Sequence, residues 1–93
     1  MTAQVKILLH AMFKEIAGRR EILQEVNPDS TLRDTLDALA KSYGGEFKSI
    51  IDPKTGMVSL DTLVLVNGKS VRKPDVKLKD NDVVMITVPV GGG

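Results

Sequence analysis

Val83-Val84-Met85-Ile86-Thr87-Val88-Pro89-Val90-Gly91-Gly92-Gly93, the last eleven of 93 residues, set a central strand beside a glycine-rich tail. Residues 83–88 form an aliphatic, β-branched run of the kind that fills a central strand. Pro89 stiffens the exit from that strand and removes a backbone donor that would otherwise continue the sheet. Three glycines follow. A buried last strand in the middle of a sheet gives such a tail a rigid anchor.

Working outward, Lys79-Asp80-Asn81-Asp82 is a polar turn leading into the run, and Asn67-Gly68 is the strongest hairpin signal in the chain. The hairpin joins a short aliphatic strand at residues 63–66 to a partner at 69–71. At the other end Val5, Ile7, Leu9, Ala11 and Phe13 alternate, which predicts one strand with these residues on one face. Lys6, Leu8, His10 and Met12 make its mixed opposite face. Gly18-Arg19-Arg20 supplies a turn into a second strand at 21–26, with Ile22 and Val26 sharing a face, so the pair reads as an antiparallel hairpin. Between the two halves Leu32, Leu36, Leu39 and Ala40 recur at helical spacing. Ser30 or Asp29 is the expected cap, Thr31 with Asp34 adds a second cap-like spacing, and Gly44-Gly45 ends the helix. Residues 47–52 fit a helical turn or a small strand, and Pro53-Lys54-Thr55-Gly56 reads as a turn. The order predicts an α+β domain over residues 1–88: a mixed four- to five-stranded sheet packed on one main helix, the last strand beside the first. Residues 89–93 form a flexible tail.

Composition narrows the function. Thirteen Lys and Arg against 12 Asp and Glu give a net charge of +1, too little basic excess for a dedicated nucleic-acid binder. Aromatic residues make up 3%, which disfavours base stacking. Cysteine is absent and His10 is the single histidine, so thiolate ligands, a cysteine nucleophile and histidine-rich metal sites are excluded or improbable. His10 and Arg19-Arg20 read as surface residues, and Asp80 and Asp82 as turn formers rather than metal ligands. No apolar run approaches a membrane span. The expectation is a cytoplasmic protein, monomeric alone.

Glycines carry no side chain, so an extended Gly91-Gly92-Gly93 tail can thread a narrow channel and present its carboxylate to another enzyme. From Pro89 to Gly93 the reach is on the order of 15 Å. A carboxylate becomes an electrophile only after activation, commonly by adenylation. The chain has no phosphate-binding glycine loop, since Gly44-Gly45 and Asn67-Gly68 lack the flanking pattern. It would therefore be substrate or carrier rather than enzyme, with no cofactor of its own and ATP used by the activating partner.

Several segments in order then resemble one family. Phe13-Lys14-Glu15-Ile16-Ala17-Gly18-Arg19-Arg20 is similar to the first-hairpin segment of the MoaD/ThiS sulfur carriers. Leu36-Asp37-Ala38-Leu39 resembles their helix, Leu65-Val66-Asn67-Gly68-Lys69 their second hairpin, and Leu78-Lys79-Asp80-Asn81-Asp82-Val83-Val84 their polar turn. Pro89-Val90-Gly91-Gly92-Gly93 is similar to their terminus, with Val88 where a first proline is usual and Gly91 where alanine or serine is common. The longer middle, residues 47–61, looks most like the MoaD-like small archaeal modifier proteins. The resemblance implies a ubiquitin-like β-grasp fold. It implies that Gly93 is adenylated by an enzyme of the ubiquitin-activating type, with Gly92, Gly91 and Pro89 in that enzyme's channel. The product is a thiocarboxylate that donates sulfur in molybdopterin synthesis inside a larger synthase subunit, or an isopeptide to target-protein lysines. Leu8 and Met12 are candidates for an apolar patch that docks the activating enzyme. A β-grasp interaction module with an inert tail is the remaining alternative.

Overall fold

The computed structural model describes residues 2–89, so Val90 and the tail glycines Gly91, Gly92 and Gly93 lie outside the described residues. Five strands and two α-helices follow in the order β1 (Ala3–Leu9), α1 (Ala11–Ala17), β2 (Glu21–Val26), α2 (Leu32–Tyr43), β3 (Leu63–Val66), β4 (Lys69–Ser70) and β5 (Val83–Thr87), with a 3-10 helix at Gly45–Ser49. The strands form a single sheet in the order β2-β1-β5-β3-β4. β1 and β5 run parallel at its centre, and the other neighbours are antiparallel. This is the β-grasp arrangement expected from the sequence, with the last strand beside the first.

One side of the sheet carries the core. Val5, Ile7 and Leu9 of β1, Val84 and Ile86 of β5, and Val64 of β3 are buried together with Leu32, Leu36 and Leu39 of α2. Burying each of these side chains is worth about 1.5–3 kcal/mol, which is what holds the helix across the strands. The cap of α2 corrects one expectation. Thr31, not Ser30 or Asp29, is the N-cap: its hydroxyl accepts from the Asp34 N–H at 3.3 Å while Asp34 Oδ2 accepts from the Thr31 N–H at 3.0 Å. Ser30 Oγ instead accepts from the Asn27 N–H, closing the preceding turn.

The first strand is shorter than the alternation suggests. Residues Leu9 and Phe13 are both buried, but they are joined by a change of direction rather than a continuous strand. Ala11 takes φ 54°, a left-handed backbone, and α1 follows. The two residues stand four apart, so a helical turn returns Phe13 to the core as effectively as a strand would. Gly18 at φ 72° then ends α1 by donating its N–H to the Lys14 carbonyl. α1 is thus an excursion inside the first hairpin, and β1 and β2 still pair antiparallel.

Both readings of residues 47–52 contain part of the outcome. Phe47 sits in the 3-10 helix and Ile51 makes an isolated bridge with Val58. Phe47, Ile50 and Val58 are buried, extending the core under α1, where Phe13 meets Phe47 edge-on at a centroid distance of 5.2 Å. Asn67 at φ 52° and Gly68 at φ 84° form the tight turn predicted between β3 and β4.

Candidate functional site: the outer sheet face and the root of the tail

β5 determines where the tail begins. It is hydrogen-bonded on both flanks: to β1 through Leu9 opposite Ile86, and to β3 through Leu63 opposite Thr87. The His10 N–H reaches the Ile86 carbonyl at 3.1 Å, extending the grip on the β1 side to the strand's end. Val88 is half-buried and packs against the core, whereas Pro89 is exposed. Burial therefore continues to Val88, and Pro89 meets solvent.

The start of β5 is fixed by a second device. Asn67 donates through Nδ2 to Asp82 Oδ1 and accepts the Val83 N–H at Oδ1, both at 2.9 Å, while its own N–H donates to the Val83 carbonyl at 2.8 Å. Asp82 Oδ2 also accepts the Lys79 N–H at 2.7 Å, and Asp80 Oδ1 accepts the Gln4 N–H at 2.8 Å. The two aspartates are thus turn formers, and the hairpin asparagine doubles as a clamp on the central strand. Sequence reasoning recognised the turn and missed the clamp, because nothing local to Asn67-Gly68 names a partner sixteen residues away.

Opposite the helices, the sheet exposes alternate side chains. Leu8 lies directly across from Met85, and Met85 directly across from Leu65, so three half-buried apolar residues form one row over β1, β5 and β3. Lys6 sits between Leu23 and Val83 in the next row, and Leu63 faces Thr87. Directly opposed side chains are about 4.5–5.5 Å apart at Cβ, so Leu8, Met85 and Leu65 form one continuous apolar row, with Lys6 interrupting the next. Lys6 and Glu21 edge it as an ion pair at 3.9 Å, with both side chains about half exposed. A half-buried apolar row of this kind, rimmed by charge, is a candidate docking feature.

Leu8 is at the centre of this surface. Met12 is not on the same strand face, because the left-handed turn at Ala11 carries it into α1, where it is 40% exposed. The patch instead takes in Leu23, Leu63, Leu65, Val83 and Met85. The signal was present in the sequence: residues 63–66 and 83–86 are apolar at consecutive positions, so with one main helix predicted the face turned away from it carries apolar side chains too.

Among the described residues there is no cluster of three His, Asp or Glu side chains suited to hold a metal, and no helix long and apolar enough to cross a membrane.

The comparisons agree with this geometry. The sequence matches the ThiS family over residues 7–93. It is 32% identical to small archaeal modifier protein 3 of Haloferax volcanii, over 97% of this chain and 99% of that protein. It is 30% identical to the molybdopterin synthase sulfur carrier subunit of Dictyostelium discoideum, over the full length of both. The solution structure of the Haloferax volcanii HVO 2177 protein superposes with a TM-score of 0.84 at 30% identity, covering 99% of this chain and 88% of that one. A match that runs through the hairpin, the clamped strand and the tail leaves one conclusion: the chain belongs to the ThiS family of ubiquitin-like β-grasp carriers and modifiers.

Proposed function

We propose that this chain is a sulfur carrier whose active group is the carboxylate of Gly93. An adenylating enzyme of the ubiquitin-activating type joins that carboxylate to AMP from ATP, releasing pyrophosphate. Hydrosulfide-level sulfur then attacks the acyl carbon and expels AMP, leaving the C-terminal thiocarboxylate. In molybdopterin synthesis a larger synthase subunit takes up the tail and receives the sulfur, so this chain acts as the small, non-catalytic subunit. The observation that carries the reading is the family match, which extends to residue 93 and includes a molybdopterin synthase sulfur carrier subunit aligned over its whole length.

In this reading residues 1–88 are the recognised body and residues 89–93 the tail. Pro89 starts the tail as an extended segment, and Gly91 and Gly92 pass where a side chain would collide. Leu8 with Met85 and Leu65 forms the docking surface for the adenylating enzyme, and Met12 adds a contact beside it. The chain binds no cofactor; ATP belongs to the partner. It works in the cytoplasm and is a monomer between encounters.

The resemblance to small archaeal modifier protein 3 favours a second use of the same activated group. Attack by a target lysine on the activated carboxyl would form an isopeptide to Gly93. Intact-mass analysis of the protein recovered from its native host, tagged only at its N-terminus, tests both. Replacement of one oxygen by sulfur at the C-terminus supports the carrier, and lysines of other proteins bearing the Asp80–Gly93 branch in a tryptic digest of the same lysate support the modifier. If neither is found while an adenylating enzyme is present, the tail is inert and the proposal fails.

A further inference from the structure

The β2 border of the sheet carries a second recognition feature, distinct from the tail root and the Leu8–Met85–Leu65 row, though Leu23 and Glu21 also belong to the outer face. β2 is an edge strand, paired only with β1. The Leu9 N–H donates to the Arg20 carbonyl at 2.8 Å, which sets the phase of the ladder. Ile22, Gln24 and Val26 therefore turn their backbone groups towards β1. Glu21, Leu23 and Glu25 turn theirs away, towards the open edge.

A groove of about 290 Å³ runs between this edge and α2, lined on one side by Gln24 and Val26 and on the other by Asp34, Thr35 and Ala38. Thr35 is 2% exposed, and its hydroxyl is the buried polar side-chain group without a hydrogen-bond partner among the described residues. Glu25 and Asp34 line the groove and no basic residue does, while Glu21 on the same strand is held by the half-exposed Lys6 ion pair at 3.9 Å.

We propose that the β2 edge and the β2–α2 groove bind an extended, lysine- or arginine-bearing segment of a partner protein as an added strand. Its backbone pairs with the free N–H and C=O groups of Leu23 and its neighbours. Alternate side chains on one face enter the groove over Thr35 and Ala38, where small hydroxylated residues match the polar lining. Basic side chains on the other face meet Glu21 and Glu25. The same charges disfavour a second copy of this chain as the occupant, since edge-to-edge pairing of two β2 strands would align glutamates. Because β2 lies at the sheet border, an added strand leaves Met85, Leu65 and the tail root open, so a receptor held here can bind the chain while its tail is engaged elsewhere.

The test is a nitrogen-15 NMR titration of the full chain with an acetylated, amidated hexapeptide alternating lysine and threonine. The expected result is saturable shifts at Leu23, Glu25, Thr35 and Ala38, with slowed amide exchange at Leu23. Leu23→Pro removes one outward-facing N–H at an edge position that tolerates proline and should weaken binding roughly tenfold while the core resonances stay in place. If that variant does not fold, the same peptide methylated on alternate backbone nitrogens makes the equivalent test on the unaltered protein. Glu25→Lys should weaken the basic peptide further and admit a glutamate–threonine peptide. The proposal is overturned by shifts centred on Leu8, Leu65 and Met85, by equal affinity for the methylated or acidic peptide, by no binding at millimolar peptide, or by peptide-free dimers formed through β2.

Discussion

Replacing Asn67 tests how the strand that bears the tail is held. In Asn67→Gly the left-handed backbone of the turn is retained, but the two side-chain bonds at 2.9 Å disappear. The bond to the Asp82 carboxylate is charge-assisted and worth about 1.5–3 kcal/mol, and the one from the Val83 N–H about 0.5–1.5 kcal/mol. Glycine recovers part of that loss, because φ 52° is free of steric cost without a Cβ. The net destabilisation should be about 2 kcal/mol. Asn67→Ala loses the same bonds and keeps a Cβ in a left-handed position, so it should lose about 3–4 kcal/mol. Equilibrium urea unfolding measures both, with an unchanged slope showing that the unfolded reference is the same. Amide exchange at Val83 should accelerate in both variants. Asn67→Gly within ~0.5 kcal/mol of the parent would mean the clamp contributes nothing. Equal losses for glycine and alanine would mean the turn does not have the stated backbone.

Further expectations separate folding from recognition. Ala11→Gly should stabilise the chain by about 1 kcal/mol by relieving the left-handed alanine at φ 54°, seen as a higher urea midpoint; a lower midpoint would place Ala11 in ordinary backbone. Thr35→Val should gain about 1 kcal/mol, because it replaces a buried, unpartnered hydroxyl with a methyl of similar shape; a loss would show that the hydroxyl is bonded after all. Met85→Glu places a charge in the middle of the outer row, where the side chain is only half-buried. It should leave the far-ultraviolet circular dichroism intact and lower kcat/KM for adenylation at least roughly tenfold in pyrophosphate exchange with the cognate enzyme; an unchanged rate would remove the outer face from docking. Gly93→Ala should leave the unfolding midpoint unchanged and abolish thiocarboxylate formation, and full activity would argue against a narrow channel as the reason for the glycines.

Most of the sheet was legible because its signals are local. Asn67-Gly68 names its turn because asparagine and glycine readily accept successive left-handed conformations, and both occur, at 52° and 84°. Thr31 and Asp34 bond each other across three residues, so the spacing of the capping box was visible even where Ser30 and Asp29 were preferred as caps. Residues 5–13 misled because Leu9 and Phe13 fit two periods at once, and no residue type announces a left-handed alanine between them. Residues 47–62 have no period. Phe47, Ile50 and Val58 are buried by an irregular path whose only ladder is the Ile51–Val58 bridge. Of the candidate patch, Leu8 could be placed on the strand's mixed face from alternation alone, but Met85 and Leu65 are brought beside it by strand order, which no single segment encodes.

The placement of β5 explains why so small a domain can present a tail reliably. An edge strand frays from its end because one flank is solvent, but β5 is paired on both sides, and its last ladder residue, Thr87, is held across from Leu63. Its first residue is locked by Asn67, and Val88 still packs on the core. Motion that displaced the tail root would therefore have to break pairings to β1 and β3 together, which approaches the cost of global unfolding rather than local fraying. In the proposed carrier role this makes the distance from the outer face to the tail root a fixed quantity. A partner that docks on Leu8, Met85 and Leu65 locates the tail root without a further search, because Met85 and Thr87 lie on the same strand. Weakening the clamp should therefore lower stability while leaving the catalytic constant for the folded fraction unchanged. Cutting the docking row should do the opposite, and that opposition is what a body and a tail with separate tasks require.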